Sequence, residues 1–446
     1  MASDLLSIGR AGAQAARMAL DLTAQNIANA ASEGYVRRSI ALAEVSATGG
    51  FARVGDLSLS GARVEGVVRN ADSFRQAEVR RTGADAARAE AEVAGLENIE
   101  VAVEQSGLYP AIVQFEASLQ QLASDPVNPS LRAAAVEDAG TMARTFGIAA
   151  GSLDAVGQGL RFEAADAVDQ VNTLASELAR VNLRLSRAAD AQSDQASLLD
   201  QRDLLLKRLS GFVDVSTSIA ADKTVEVRLG GTAGPVLVDR GTTSPLAMSQ
   251  AANGTIAFAL GGAAVAPSGG ALAGKALALE KLDTVRSRLD TIAAGIVTAA
   301  NAVQTAGAAL DGSPGQPLFS GSDAASIALA FTDGALLATA PAGSAAGSRN
   351  PANLTALRTA LNAGGGPAGA MDSLIFDISG TVAGRRVTRE ALATIADTAE
   401  VAFKAQAGVD LDQEATNLIR YQQAFQASGR VMQVSSDIFD SLLAIR

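Results

Sequence analysis

Residues 408–446 read GVDLDQEATNLIRYQQAFQASGRVMQVSSDIFDSLLAIR, and this stretch decides the architecture. Two interleaved seams of small and apolar side chains run through it. One follows Leu411, Ala415, Leu418, Gln422, Phe425, Gly429, Met432, Ser436, Phe439 and Leu443. The other follows Tyr421, Ala424, Ser428, Val431, Ser435, Ile438, Leu442 and Ile445. Alternating steps of four and three belong to a helix that packs along its whole length. A helix over 411–445 is about 52 Å long at a rise of about 1.5 Å per residue. It is apolar on too many sides to lie alone on a compact body, so the spacing predicts partners on two faces.

The opposite end of the chain matches it. One seam follows Leu6, Gly9, Ala13, Ala16, Leu20, Thr23, Ile27 and Ala30; a second follows Ile8, Gly12, Ala15, Ala19, Leu22, Asn26 and Asn29. Small seam residues let helix axes approach closely. The helix is expected to stop near 31–34, where Gly34 suits the left-handed position past a helix end, and Tyr35 begins an extended stretch. Asn26 and Asn29 are placed to bond free carbonyls or a neighbouring helix. Arg37 and Arg38 fit either a partner contact or a solvated strand edge. Isolated helices of this kind are marginal in water, so both ends are expected to be disordered in the monomer and to fold on assembly.

Composition narrows the function. The chain has 446 residues, enough for two to four domains, and its 48% hydrophobic content is largely alanine with only 4% aromatics and no Trp. That favours helices packed through small side chains. A net charge of −11 argues against nucleic acid as the main partner, because phosphate binding needs a basic surface. With no Cys there is neither a disulfide scaffold nor a Cys metal site. With no His the commonest general base and metal ligand is missing, which argues against an enzyme and against a cofactor. Residues 1–8 show no basic region followed by an apolar run, so no Sec-type leader is expected. No apolar run reaches 18 residues, and no membrane insertion is expected.

The pattern along the chain predicts a mainly α protein with a β-containing insertion, its domains nested. Residues 36–80 read as extended, with alternation over 39–45 and a strand over 61–69. Helical texture follows over 72–105, 131–158, 162–189 and 195–210. At Gly211 it gives way to short alternating stretches between Gly-rich turns. Helix returns over 272–306, a short helix over 353–361, a strand over 373–382, and a helix over 389–407. The layout is a terminal helical assembly domain (1–35 and 408–446), a helix-rich core (36–210, 271–310 and 386–407) and an outer β-containing insertion (211–270 and 311–385).

Catalytic readings find little support. Gly269, Gly274 and Lys275 fit the G-x-x-x-x-G-K part of a phosphate loop, but Ala276 supplies no hydroxyl for Mg²⁺ and no apolar strand leads in. Asp372 with Asp377, or Asp410 with Asp412 and Glu414, offer carboxylate pairs of the kind glycoside hydrolysis uses. The latter three sit where a helix starts and acids favour its dipole. Asp311 in DGSPGQ lacks the further acidic ligands of a calcium site.

The stretch ALDLTAQNIANAASEGYVRR (19–38) resembles the signature of the bacterial flagellar rod, hook and hook-associated axial proteins, with Asn26, Ile27, Ala28, Asn29, Gly34, Tyr35 and Arg37 matching. Ala31, Ser32 and Glu33 depart from its usual Asn-Thr-Pro. DPVNPSLRAAAV (125–136), the Asp200-Gln201-Arg202-Asp203 block and residues 408–431 resemble the hook-associated protein 1 family; Gln413 and Phe425 replace its Glu and Tyr. Hook and distal rod proteins share the first signature but are not expected to carry the 199–202 block. The resemblance implies a structural protein joining hook to filament, extracellular and exported unfolded by the flagellar type III apparatus. It implies as partners further copies in a ring or helical array, the hook protein, a second junction protein, and a cytoplasmic export chaperone on the C-terminal helix. The residues it assigns to assembly and chaperone binding are Leu6, Ala13, Leu20, Asn26, Ile27, Asn29, Gly34 and Tyr35 near one end, with Leu411, Leu418, Phe425, Met432, Phe439 and Leu443 near the other. Paired carboxylates used in hydrolysis, or an adhesive role for 215–270, are the readings from other classes.

Overall fold

The structure is a computed structural model that describes residues 2–44, 62–187 and 192–444, with side chains described over 5–43, 63–187 and 195–441. In chain order the elements are helix α1 (Ala2–Ala28), strands β1 (Arg38–Glu44) and β2 (Ala62–Arg69), and helices α2 (Ser73–Glu104), α3 (Leu108–Leu122), α4 (Pro129–Arg187) and α5 (Gln192–Phe212). Seven strands follow: β3 (Val215–Ile219), β4 (Val225–Leu229), β5 (Val236–Asp239), β6 (Thr242–Thr243), β7 (Leu246–Gln250), β8 (Ile256–Leu260) and β9 (Ala263–Val265). Helix α6 (Gly270–Thr305) leads into the two-residue strands β10 (Gly307–Ala308), β11 (Phe319–Ser320), β12 (Ala328–Leu329) and β13 (Ala340–Pro341), and then α7 (Ala352–Leu361), α8 (Gly366–Ala407) and α9 (Leu411–Ala444). The protein is mainly helical, with long terminal helices packed together and small antiparallel sheets inserted between helices.

Contacts divide the chain into two units. The first comprises Met1–Ala84, Val171–Pro245 and Ala393–Arg446. In it α1 packs on α9, β1 and β2 form an antiparallel hairpin with a bulge at Ala41/Leu42, and β3-β4-β5-β6 form an antiparallel sheet. Fully buried Asn182 on α4 holds that sheet. Its Oδ1 accepts from Val225 N at 3.0 Å, and its Nδ2 donates to the carbonyls of Val225 at 2.8 Å and Arg240 at 3.0 Å.

The second unit comprises Asp85–Gln170 and Leu246–Leu392. Its core is a helical bundle: Ile99 from α2, Phe115 from α3, Phe146 from α4, Leu289 from α6 and Ile378 from α8 meet in one buried cluster. Alanines at 139, 143, 149, 293 and 300 fill the narrow places, as the composition anticipated. The Asp-Pro motif has a structural purpose here. Arg132, 1% exposed, donates to the carbonyls of Pro126 (2.6 Å), Gly334 (2.8 Å), Ala335 (3.2 Å) and Leu337 and to Thr339 Oγ1 (3.0 Å). One side chain thereby pins the irregular 334–339 stretch to the start of α4.

Three expectations are corrected. The helices expected over 131–158 and 162–189 are one, α4, through residue 187; Gly157 and Gly159 do not break it, because Gly157 packs close to Leu282 and Leu160 continues the buried stripe. The strand expected over 373–382 is part of α8. Its β-branched residues suggested a strand, but Met371, Leu374, Ile378 and Val382 form a helical stripe buried in the bundle. That stretch therefore belongs to the helical core and not to an outer insertion. Finally, the seams of α1 and α9 are not left without partners in the single chain, since the two helices cover one face of each other. The extended readings over 45–61, and the helix end at 188–189, lie outside the described residues.

Candidate assembly interface

Helices α1 and α9 run antiparallel. A Cβ placed on Gly9 would stand 2.8 Å from Met432 Cγ, and one on Gly12 would stand 2.8 Å from Ser428 Oγ, while Asn26 at the other end reaches Glu414. Glycine at 9 and 12 is therefore what lets the axes approach. Ala15, Ala16, Ala19 and Leu22 continue the buried face of α1. On α9 the covered line runs Glu414, Leu418, Tyr421, Ser428, Met432, Ser435, drawing members from both expected seams.

Of the residues assigned to assembly, Leu418 and Met432 lie in this contact, half-buried, and Ala13, Leu20 and Ile27 are half-buried on α1. Leu6, Leu411, Phe425 and Phe439 are exposed. The side chain of Leu443 lies outside the described residues. Val431, Val434 and Ile438, at helical spacing, form an exposed apolar face on α9; Val434 is 56% exposed. Leu5, Leu6 and Ile8 add exposed apolar surface on α1 at the same end of the pair.

The end of the pair near 26 and 414 is polar and closed. Asn26, 2% exposed, has all four hydrogen-bonding positions filled. Its Oδ1 accepts from Tyr35 Oη at 2.9 Å and Arg38 N at 3.1 Å; its Nδ2 donates to the Arg38 carbonyl at 2.9 Å and Glu414 Oε2 at 3.3 Å. Glu414, 1% exposed, takes its charge partner from Arg37, whose Nε lies 2.6 Å from Oε1. Arg37 N also donates to the Ala407 carbonyl at 2.8 Å. Gly34 takes φ +79°, the left-handed geometry expected past the helix end. Asn29 bonds the carbonyl of Gln25 at 2.9 Å, and Ser32 keeps a hydroxyl in the turn by donating to Asn29 Oδ1 at 3.4 Å.

Beneath this turn the Asp200-Gln201-Arg202-Asp203 block on α5 meets the β1–β2 hairpin. Arg38 and Arg69 reach Asp200 at 2.8 and 2.7 Å, and Arg69 reaches Asp203 at 2.9 Å. Arg202 pairs with Asp203 at 2.7 Å, and Gln76 donates to Asp203 at 2.8 Å. Burial pushes the Asp200 carboxyl above the usual range against Arg69 and Arg38. Burial also pushes Asp203 up, but Arg202 and Arg69 outweigh it and hold that carboxyl below the usual range. Arg37 and Arg38 are thus internal ion-pair partners and not a solvated strand edge. Sequence reasoning did not single out Arg69 and read Glu414 only as one acid of a helix start, because a buried ion pair leaves no trace in apolar periodicity.

Asp410, Asp377 and Lys275, among the catalytic candidates, have structural partners. Asp410 caps α9 by accepting from Asp412 N at 3.0 Å and Gln413 N at 3.1 Å. Asp377 pairs with Lys281 at 2.8 Å and Arg288 at 3.1 Å. Gly274 lies against the Arg88 carbonyl, and Lys275 pairs with Glu163, so the G-x-x-x-x-G-K run is a helix start in close contact with α2. Among the described residues no group of three or more acidic side chains is placed to hold a metal ion, and no helix is long and apolar enough to cross a membrane. A cleft of about 850 Å³ beside the 30–37 turn is lined by Arg80, Lys207, Glu400 and Phe403.

Buried polar contacts hold one end of a paired-helix stem while apolar side chains are displayed at the other, which defines a structural, assembling type of protein. Residues 93–319, just over half of the chain, match the family model described as flagellar hook-associated protein FlgK helical domain, and residues 405–445 match that of the flagellar basal body rod FlgEFG protein C-terminal region. The chain belongs to the FlgK family of flagellar hook-associated proteins. It is 30% identical over 224 residues to flagellar hook-associated protein 1 of Bacillus subtilis (strain 168), covering 48% of this chain and 43% of that protein. It is 27% identical over 249 residues to its counterpart from Escherichia coli (strain K12), covering 55% and 45%. The chain thus spans about half the length of the curated relatives it matches. In fold it resembles the solved structure of the flagellar hook junction protein FlgK from Burkholderia pseudomallei, with a TM-score of 0.60 over 72% of this chain and 99% of that one, at 16% identity.

Proposed function

We propose that this chain is a structural subunit of the joint between hook and filament in the bacterial flagellum, outside the cell, and that it polymerises through the α1–α9 pair. The observation that carries the proposal is the exposed apolar face of Val431, Val434 and Ile438, with Leu5, Leu6 and Ile8 of α1 exposed at the same end of the pair. A surface of this kind at one end of a helix pair is an interface awaiting copies of itself. In the proposed layout the pair forms the inner tube and the helical segments surround it. The β-containing segments lie outermost, where change is tolerated.

The family resemblance implies the remaining partners. The hook protein sits on one side of the joint and a second junction protein on the other. Before export as an unfolded chain through the flagellar type III apparatus, a cytoplasmic chaperone covers Leu418, Phe425, Met432 and Phe439. Electron microscopy of a strain lacking this protein tests the proposal: hooks without filaments and flagellin in the medium are expected. Absence of the hooks themselves would replace the proposal with a hook-protein role.

A further inference from the structure

The contact between α1 and α9 carries little information about its own alignment. Its covered face on α1 is Gly9, Gly12, Ala15, Ala16 and Ala19, and there Gly9 and Gly12 meet Met432 and Ser428. Small residues at recurring helical spacing fit one another equally well after a shift of one heptad. Such a shift brings Gly12 from Ser428 to Ser435 and Ala19 from Tyr421 to Ser428, small against small in each case. Apolar burial alone therefore does not choose between the two alignments.

We infer that Asn26, Glu414 and Arg37 form a register latch for the terminal helix pair, with Glu414 as the positioning residue. Asn26 and Glu414 are almost completely buried, at 2% and 1% exposure; three of Asn26's four bonds stay within 26–38, so it is its bond to Glu414, and Glu414's bonds to Asn26 and Arg37, that depend on the alignment. In that alignment Asn26 Nδ2 reaches Glu414 Oε2 and Arg37 Nε reaches Glu414 Oε1. After that shift Tyr421 stands opposite Asn26, and Glu414 passes beyond Ala28, the end of α1, losing both Asn26 and Arg37. Loss of the charge-assisted bonds to Glu414 disfavours the shifted state by roughly 10- to 100-fold. A single buried polar group at an otherwise apolar seam is an effective way to fix helix alignment. A polymer needs this property, because every copy must present its exposed face at the same height.

The natural sequence contains no cysteine, so engineered pairs report alignment without background. A Cβ at position 12 stands 3.6 Å from Ser428 Cβ, within the span of a disulfide. Position 435 is seven residues farther along α9, about 10 Å away, and out of reach. The full chain is oxidised under mild conditions with Gly12→Cys paired to Ser428→Cys, or with Gly12→Cys paired to Ser435→Cys, and intrachain linkage is read on gels. With the latch intact the first pair dominates. With Asn26→Leu and Glu414→Leu added, linkage of the second pair is expected to rise from under about one molecule in 10 to a comparable share with the first. With Glu414→Gln, which keeps shape and a bond to Asn26, the native pair stays dominant. Unchanged linkage in the Leu double variant would overturn the inference and assign alignment to the chain connections at 29–37 and 408–410. Loss of both linkages would also overturn it, since the cluster would then hold the helices together without aligning them.

Discussion

Replacing Arg132 by Ala is the sharpest single test of how the bundle unit is held. The guanidinium supplies five contacts: four backbone carbonyls and the Thr339 hydroxyl. Pro126, Leu337 and Thr339 are buried, while Gly334 and Ala335 are half-buried and can recruit water after the change. Three buried acceptors left without donors cost about 1–3 kcal/mol each, reduced as the loop relaxes, so a net loss of about 4 kcal/mol is expected. That is a large part of the roughly 5–15 kcal/mol that holds a domain. Burial lowers the basicity of Arg132, but its environment is all acceptors and it remains a cation at neutral pH. Lys, with one ammonium in place of a planar fork, is expected to recover less than half. Urea unfolding followed by far-ultraviolet circular dichroism gives the stability. Limited proteolysis is expected to cut Arg132→Ala first within 311–350. A loss under about 1 kcal/mol with an unchanged cleavage pattern would refute the pinning role.

Other outcomes follow from the same geometry. Asp203→Asn is expected to cost about 2 kcal/mol at neutral pH, more than Asp200→Asn, because two guanidiniums favour the Asp203 carboxylate whereas burial already favours neutral Asp200. A depressed native pKa contributes stability above the ordinary carboxylate range that is lost as pH falls through the folded value, so the gap between wild type and Asp203→Asn should close on acidification in denaturant melts. Gly12→Leu, which drives a side chain into Ser428, is expected to abolish hydrogen-exchange protection across 421–435 while leaving 93–170 protected. Adding Mg²⁺ and ATP should leave the melting temperature unchanged, because Lys275 is engaged by Glu163; a rise that Lys275→Ala removes would revive the phosphate-loop reading.

What was legible in the sequence was what periodicity and backbone geometry report. The terminal helices, the Gly34 turn and the strand near 62–69 are repeats or special φ values that residue type announces. The β-branched run at 373–382 misled because Leu374, Ile378 and Val382 satisfy a helical period as well as a strand's composition, and only the bundle decides between them. The helical texture expected to end near 158 continues, because the closeness of Gly157 to Leu282 is a tertiary fact. At the interface, the line on α9 that meets α1 passes through Glu414 and alternates between the two apolar seams, since buried ion pairs and hydrogen bonds set it. The Asp200-Gln201-Arg202-Asp203 block was visible only through resemblance; its partners Arg38 and Arg69 are far away in sequence.

The most direct measurement of the central claim is made on living cells carrying Val434→Glu and Ile438→Glu. Both side chains are exposed in the single chain, so the purified variant should keep its helix content and its α1–α9 pairing. In the assembled joint the two carboxylates would be buried without partners, and the cells should bear bare hooks and shed flagellin. Normal filaments on these cells would show that the exposed face of α9 is not where copies meet.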